Sequence, residues 1–339
     1  MRHIRIWVYD GVIASAVAGP IDVFMAANTV ARRLGEEDSE VAPLIAWRIE
    51  SIDGKPVRTA SGQILNVDGK IASGAAVDAV IVLGPFFGMG TERFIEWLEN
   101  ARNFLRPLLL ALRRQHRHGA VVASVCSGSF LLAEAGLLDG RAATTHWSLA
   151  TAFRRRYPQI ELKEDEILTE RDNLLSCAAV TSYFNLALRL VEKFAGAKLA
   201  SLTARILLID INRVSQASYR SLTVQAQQAH NDPMVEKAQL WMEKHLRDRF
   251  RLAELADVLA VSERTLIRRF NAAIGETPLA HMQALRIEAA KRLIEGGKKY
   301  IDSVSDRVGY VDRGAFRRLF KRETGLSPRE YQQRFTRLR

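Results

Sequence analysis

Two residues in the front half and two groups of arginines in the back half carry the chemistry open to this chain. Cys126 closes the apolar run Ala120–Val125 and is followed at once by SGSFLLAEA, which reads as a helix from Ser127 to Ala135. A thiol at a strand-to-helix turn faces the N–H groups of the helix start, which can lower its pKa and suit it to nucleophilic attack. His146, further along, is placed by its spacing to stand across the same pocket as a base. An unreactive small residue packed under a tight turn explains the spacing equally well. In the back half, Arg264 and Arg268 recur in ERTLIRRF, and Arg313, Arg317 and Arg318 in RGAFRRLFK. Arginine forks read guanine O6 and N7 in the DNA major groove, and they also clamp phosphates.

The elements that would position the arginines come in two copies. Leu252–Gly275 and Ile301–Gly325 share one helix-turn-helix pattern, with Arg268-Arg269-Phe270 aligning on Arg318-Leu319-Phe320. Leu266 and Phe270 are four apart and share a buried helix face, as do Phe316 and Phe320. That leaves Arg264, Thr265, Ile267 and Arg268 outward in the first copy, behind Ser262 as N-cap. In the second, Arg313, Gly314, Arg317 and Arg318 point outward behind Asp312 as N-cap, with Lys321 following. Two such helices would enter successive major grooves of double-stranded DNA, ~34 Å apart. The apolar stripe of Leu279–Ile294 would join the copies rigidly.

The elements around Cys126 alternate between strand and helix. Ile4–Tyr9, Val77–Leu83 and Ala120–Val125 read as buried strands. Gly19–Leu34 reads as a helix with Pro20 near its first turn. Pro43–Ile52 and Pro56–Leu65 read as paired strands, and Thr91–Arg117 as a helix interrupted near Pro107. Ile167–Cys177 reads as a hairpin turning at Arg171-Asp172-Asn173, and Ala178–Ile211 as largely helical. This order predicts an α/β sandwich with a mostly parallel sheet. Residues 1–212 form that domain, the polar segment 213–233 reads as a linker, and 234–339 read as all-α, about seven helices.

At 339 residues, two domains are expected. The net charge of +11 is uneven: Met234–Arg339 holds 23 Lys+Arg against 14 Asp+Glu, and the preceding residues 26 against 24. A basic back half behind a near-neutral front points to a nucleic-acid partner. No run of about 18 apolar residues suggests a membrane helix, and MRHIRIWVYDG reads as a strand start rather than a signal peptide. Cys126 and Cys177 form neither a disulfide framework nor a metal cluster, so a reducing cytoplasm fits, with no metal or cofactor.

The segment GYVDRGAFRRLFKRETGLSPREYQQRF resembles the C-terminal signature of the arabinose-operon-regulator (AraC/XylS) family. Gly309-Tyr310, Phe316, Phe320-Lys321, Gly325, Ser327-Pro328 and Tyr331 carry the likeness, which covers Val235–Phe335. It implies two recognition helices on one DNA face at a bacterial promoter, with RNA polymerase as a further partner. Residues 3–212 resemble the DJ-1/PfpI family, a flavodoxin-like relative of class I glutamine amidotransferases. The stretch AEAGLLDGRAATTHW is similar to its GlxA-like regulators, with Cys126 and His146 at the elbow and pocket positions.

The departures speak against catalysis. Ala16 stands where enzymatic relatives place a carboxylate, Ser127 where peptidase-like ones have His, and Gly84-Pro85 where Gly-Gly is usual; Asn185 lies in a late stretch where Gly and Asp are common. Without the acid, general acid–base help is missing. The expectation is a ligand-responsive, non-enzymatic regulator that dimerises through its front domain. Its small-molecule effector would be a small amino acid or quaternary amine by resemblance, lying against Cys126, Ser127, His146, Phe86, Trp147 and Tyr183, with Phe87 a further aromatic candidate. The alternative is a cysteine enzyme or redox sensor fused to a DNA-binding domain.

Overall fold

The computed structural model describes residues 1–34, 43–71, 76–86, 88, 90–211, 213, 215–220, 232–297 and 301–336. The chain divides into two compact units, Met1–Gln216 and Ala217–Arg339.

In the front unit, apolar runs become strands β1 Arg2–Val8, β2 Ile45–Ser51, β3 Val57–Arg58, β4 Ile64–Leu65, β5 Gly69–Lys70 and β6 Ala79–Leu83. They are followed by β7 Val121–Val125, β8 Ala142–Ala143, β9 Glu161–Leu162, β10 Leu168–Arg171 and β11 Leu174–Cys177. The main sheet has the order β10-β11-β7-β6-β1-β2-β5 and is parallel except for β10 against β11. Every residue of β6 and β7 is buried, which is why these strands read as unbroken apolar runs. The chain leaves β1 for β2, then returns across β1 to β6. The carboxyl ends of β1 and β6 therefore form the switch point where α/β sheets open a crevice.

Several boundaries differ from the sequence reading, each for a packing reason. Helix α1 spans Ala14–Leu34, so Pro20 lies in its interior rather than its first turn. Burial of Ala16, Val17, Gly19 and Pro20 outweighs the one lost backbone bond. By length and composition α1 could cross a membrane; here nine of its residues are buried, and it packs on other helices of the unit. The segments 43–52 and 56–65 do not pair with each other. β2 lies parallel to β1, and β3 pairs with β4 in a short ladder of its own. The helical stretch 91–117 breaks at Ala101, between α2 Thr91–Asn100 and α3 Arg102–Arg117, and α3 runs through Pro107. Cys126–Gly128 is a tight 3-10 turn, and only then does α4 Ser129–Glu134 begin. After α5 Ala150–Arg156, the hairpin turns at Asp172 and Asn173, both left-handed (φ 51° and 60°), as a two-residue hairpin requires. The closing helical stretch is two helices, α6 Tyr183–Ala195 and α7 Ala197–Ile206, separated by Gly196 at φ 90°.

The back unit holds α8 Pro233–Lys244, α9 Leu252–Val258, α10 Glu263–Ile274, α11 Pro278–Glu295, α12 Ile301–Arg307, α13 Arg313–Thr324 and α14 Pro328–Phe335. It has two small cores. One gathers Val235, Met242, Leu255, Leu266 and Phe270; the other gathers Val304, Phe316, Phe320 and Tyr331. Helix α11 gives Met282 to the first and Ile287, Ala290 and Ile294 to the second, so one continuous helix serves both.

Both described ends of the segment read as a linker are anchored. Arg213 donates to Thr181 Oγ1 (3.1 Å) and Ser182 Oγ (3.2 Å) in the front unit. In the back unit, the Tyr219 ring meets Phe335 edge-on at 5.3 Å, and Arg334 donates to Tyr219 Oη at 3.0 Å. Lys291 donates to the Arg220 carbonyl. Residues 214 and 221–231 of that segment, and Phe87, lie outside the described residues.

Candidate effector pocket and nucleic-acid interface

Cys126 follows the last residue of β7 and adopts φ 57°, a left-handed conformation that a non-glycine residue keeps only when its surroundings enforce it. The enforcement comes from the loop after β6. A Cβ on Gly84 would lie 1.9 Å from Ser127 Oγ, and one on Gly128 would lie 2.8 Å from the Val82 carbonyl, so two glycines let loop and elbow interlock. Ser127 Oγ donates to the Pro85 carbonyl at 3.0 Å.

Burial pushes the Cys126 thiol up to about 11, against the opposing pull of the Ser127 backbone and hydroxyl. The expected lowering by the helix start is therefore outweighed, and the thiol stays protonated at neutral pH. Cys177, wholly buried on the adjacent strand, is also pushed up by desolvation. Ala16 is buried on α1, and Asp22 is exposed on the same helix.

His146 is tied to the elbow through its neighbour: Thr145 Oγ1 donates to the Cys126 carbonyl at 3.3 Å, and Ser129 Oγ donates to the same oxygen at 3.1 Å. The Ser148 N–H donates to His146 Nδ1 at 3.2 Å, which leaves the ring proton on Nε2. Burial pushes the His146 pKa down to about 4, so the ring is neutral at pH 7. Trp147 is buried beside it, with ring centroids 5.1 Å apart. Gln216 braces this segment: its Nε2 donates to the carbonyls of Thr145 (2.9 Å) and Glu164 (2.7 Å), and the Trp147 N–H donates to its Oε1 (3.2 Å). Thr145 lies within the stretch AEAGLLDGRAATTHW without having been singled out there, and Gln216 lies in no motif; both act by side-chain bonds to backbone groups. Phe86 is half exposed. Tyr183 is buried over Gly19, where a Cβ would fall 2.0 Å from its ring.

In the back unit, Ser262 caps α10 by accepting from the Thr265 N–H (3.2 Å). Asp312 caps α13 by accepting from Gly314 (2.7 Å) and Ala315 (3.1 Å). Gly275 and Gly325 end the two helices at φ 88° and 73°. Thr277 and Ser327 cap the helices that follow, each with Pro at its start. Leu266, Phe270, Phe316 and Phe320 are buried. Arg264, Arg268, Arg313, Arg317, Arg318 and Lys321 are exposed, with Thr265 and Gly314 less so, and Ile267 is 38% exposed. Arg269 is turned away from this face and pairs with Asp232, the N-cap of α8. Among the described residues no three His, Cys, Asp or Glu side chains are grouped to hold a metal.

Comparison with known proteins follows the same division. The family model described as "DJ-1/PfpI family" matches residues 4–193, and the model described as "Helix-turn-helix domain" matches residues 255–334. The HTH-type transcriptional regulator GbdR of Pseudomonas aeruginosa is 27% identical over 290 residues, covering 86% of this chain and 75% of its own. The HTH-type transcriptional regulator CdhR of the same organism is 28% identical over 287 residues, covering 85% and 81%. A crystal structure of a ThiJ/PfpI family protein from Pseudomonas syringae overlays with a TM-score of 0.50 at 19% identity, covering 76% of this chain and 90% of that one.

Proposed function

Because this chain belongs to the DJ-1/PfpI family and carries a helix-turn-helix unit behind that domain, we propose that it is a sequence-specific DNA-binding transcriptional regulator of the AraC type, controlled by a small metabolite. The observation that carries the reading is that α10 and α13 each expose arginines, Arg264 and Arg268 on the first and Arg313, Arg317 and Arg318 on the second. Each helix is capped at its start, closed by a left-handed glycine and anchored by buried apolar residues, Leu266 and Phe270 on α10 and Phe316, Leu319 and Phe320 on α13. We read α9–α10 and α12–α13 as two helix-turn-helix motifs held by α11, which suits them to two boxes about one helical turn apart. The relatives named as regulators align across both units, which supports the same reading.

The front unit, of the GlxA-like kind, then serves as the sensor. A protonated Cys126, a neutral His146 and a buried alanine at the acid position make a pocket fit to bind rather than to turn over. The effector would lie against Cys126, His146 and Phe86. Ser127, Trp147 and Tyr183 support the walls, since each is buried against other parts of the fold. The same unit would mediate dimerisation, and the promoter-bound dimer would set the access of RNA polymerase. A ligand regulates in this scheme only if it binds two arrangements of the protein unequally.

Mapping chromosomal occupancy tests the reading. Discrete promoter sites with paired boxes are expected. A flat map with and without candidate metabolites, together with turnover of a small aldehyde or amide that disappears in Cys126→Ala, would replace it with a cysteine enzyme.

A further inference from the structure

The two helix pairs of the back unit superimpose in sequence but not in charge. Leu255 matches Val304, Ala256 matches Ser305, and left-handed Ala260 matches left-handed Gly309, all buried or turning alike. Val311, 99% exposed, is one extra residue in the second turn, after which Ser262 matches Asp312 and Phe270 matches Phe320. On this alignment Asp302 of α12 stands where α9 has Ala253, Arg313 where α10 has Glu263, and Arg317 where it has Ile267.

These three residues form a unit present only in the second motif. Asp302 Oδ2 accepts from Arg313 at 3.3 Å, and Asp302 Oδ1 accepts from Arg317 at 2.8 Å. Asp306 stands behind Arg313 at 3.7 Å. Among the described residues Arg264 and Arg268 of the first motif have no ion pair. Arg313 and Arg317 are four apart on one helix face, where two like charges repel. The carboxylate between them offsets part of that repulsion and draws both forks to one point. It also repels a phosphate, so a neutral, acceptor-rich partner suits the cluster better than the DNA backbone. Guanine O6 and N7 provide that partner.

We propose that Asp302 is a specificity-determining residue of the second motif, positioning Arg313 and Arg317 to read two guanines in the box bound by α13. Residues four apart on a helix are separated by ~6 Å, about two base-pair steps at the ~3.4 Å rise of duplex DNA. The two guanines therefore lie about two steps apart. The first motif, with Ile267 at the place of Arg317, has an apolar side chain suited to a thymine methyl there. The inference rests on the regulator reading above.

The test is selection from a pool of random-sequence duplex DNA by the full-length chain, read by sequencing, for the wild type, Asp302→Asn and Asp302→Ala. Both variants remove an exposed charge and are checked for native far-ultraviolet dichroism. The expected result is two enriched boxes for the wild type. In both variants guanine preference falls by about tenfold in one box, the other box is unchanged, and affinity for non-specific DNA rises with a steeper salt dependence. Variants that enrich the same two boxes as the wild type, with affinity raised equally on all sequences, would show that Asp302 only screens charge. Loss of preference in both boxes would assign it a general folding role. Either overturns this inference alone. A wild-type chain that enriches no motif overturns the regulator reading, and this inference with it.

Discussion

At the scale of single residues, environment decides protonation, and protonation decides what the front pocket can do. Cys126 and His146 are the pair that a nucleophilic site would use, yet burial drives the thiol up to about 11 and the imidazole down to about 4, so both are neutral at pH 7. Alkylation of Cys126 by iodoacetamide should therefore be slow at pH 7 and gain about tenfold per pH unit towards 11. Fast modification at pH 7, read by mass spectrometry, would mean a reactive thiolate and would contradict the binding role. The depressed His146 pKa has a stability consequence. The unfolded chain takes up a proton there as pH falls through about 6.5, and the folded chain only near 4. Stability from this residue is complete above about 6.5 and declines by up to about 3 kcal/mol as pH falls to 4. His146→Asn, whose side-chain carbonyl can still accept from Ser148, should flatten that part of the pH–urea-midpoint profile. Sequence spacing was enough to nominate Cys126 and His146, because a strand ending in Cys and a downstream His are local signals. It could not give the direction of either shift, which depends on desolvation by residues distant in sequence.

At the scale of elements, turn chemistry was the most readable feature and strand pairing the least. The left-handed turn between the helices of each motif is taken by Ala260 in one (φ 53°) and Gly309 in the other (φ 80°). A Cβ on Gly309 would stand 2.8 Å from the Arg247 carbonyl, so Gly309→Ala should lower stability by about 2 kcal/mol or more. Ala260→Gly should do the reverse, by up to about 1 kcal/mol, because it relieves a left-handed alanine. Thermal unfolding of the two variants checks both signs. If both lower the melting temperature equally, the two turns are equivalent and the difference in backbone crowding has no energetic weight. The caps Ser262 and Asp312 and the hairpin at Asp172-Asn173 follow from residue type alone. By contrast, nothing local says that β2 lies beside β1 rather than beside β3, since the choice rests on burying Ile45 and packing the half-buried Ile49 against the core of the parallel sheet. Likewise Pro20 and Pro107 sit inside helices because packing along α1 and α3 overrides the usual break.

At the scale of the molecule, the charge imbalance and the duplicated motif already separated a basic reader from a near-neutral front unit. Arg268→Ala and Arg317→Ala should each weaken specific binding by about tenfold and relax the preference in only one of two boxes, as judged by selection from random-sequence DNA. A uniform loss on every sequence would assign both to phosphates. The ion pairs of Asp302 escaped the sequence because its partners lie 11 and 15 residues away on another helix. The segment 213–233 read as a linker because polar composition does not reveal anchoring. Gln216 belongs to the front unit through Thr145, Trp147 and Glu164, while Tyr219 and Arg220 belong to the back unit through Arg334, Phe335 and Lys291. The division between the two units therefore falls inside the segment read as a linker, between Gln216 and Ala217. Recombination that moved this DNA reader onto another sensor would have to carry residues 217–220 with it. A graft beginning at α8 would leave Phe335 uncapped, Arg334 without its phenol and Lys291 without its carbonyl.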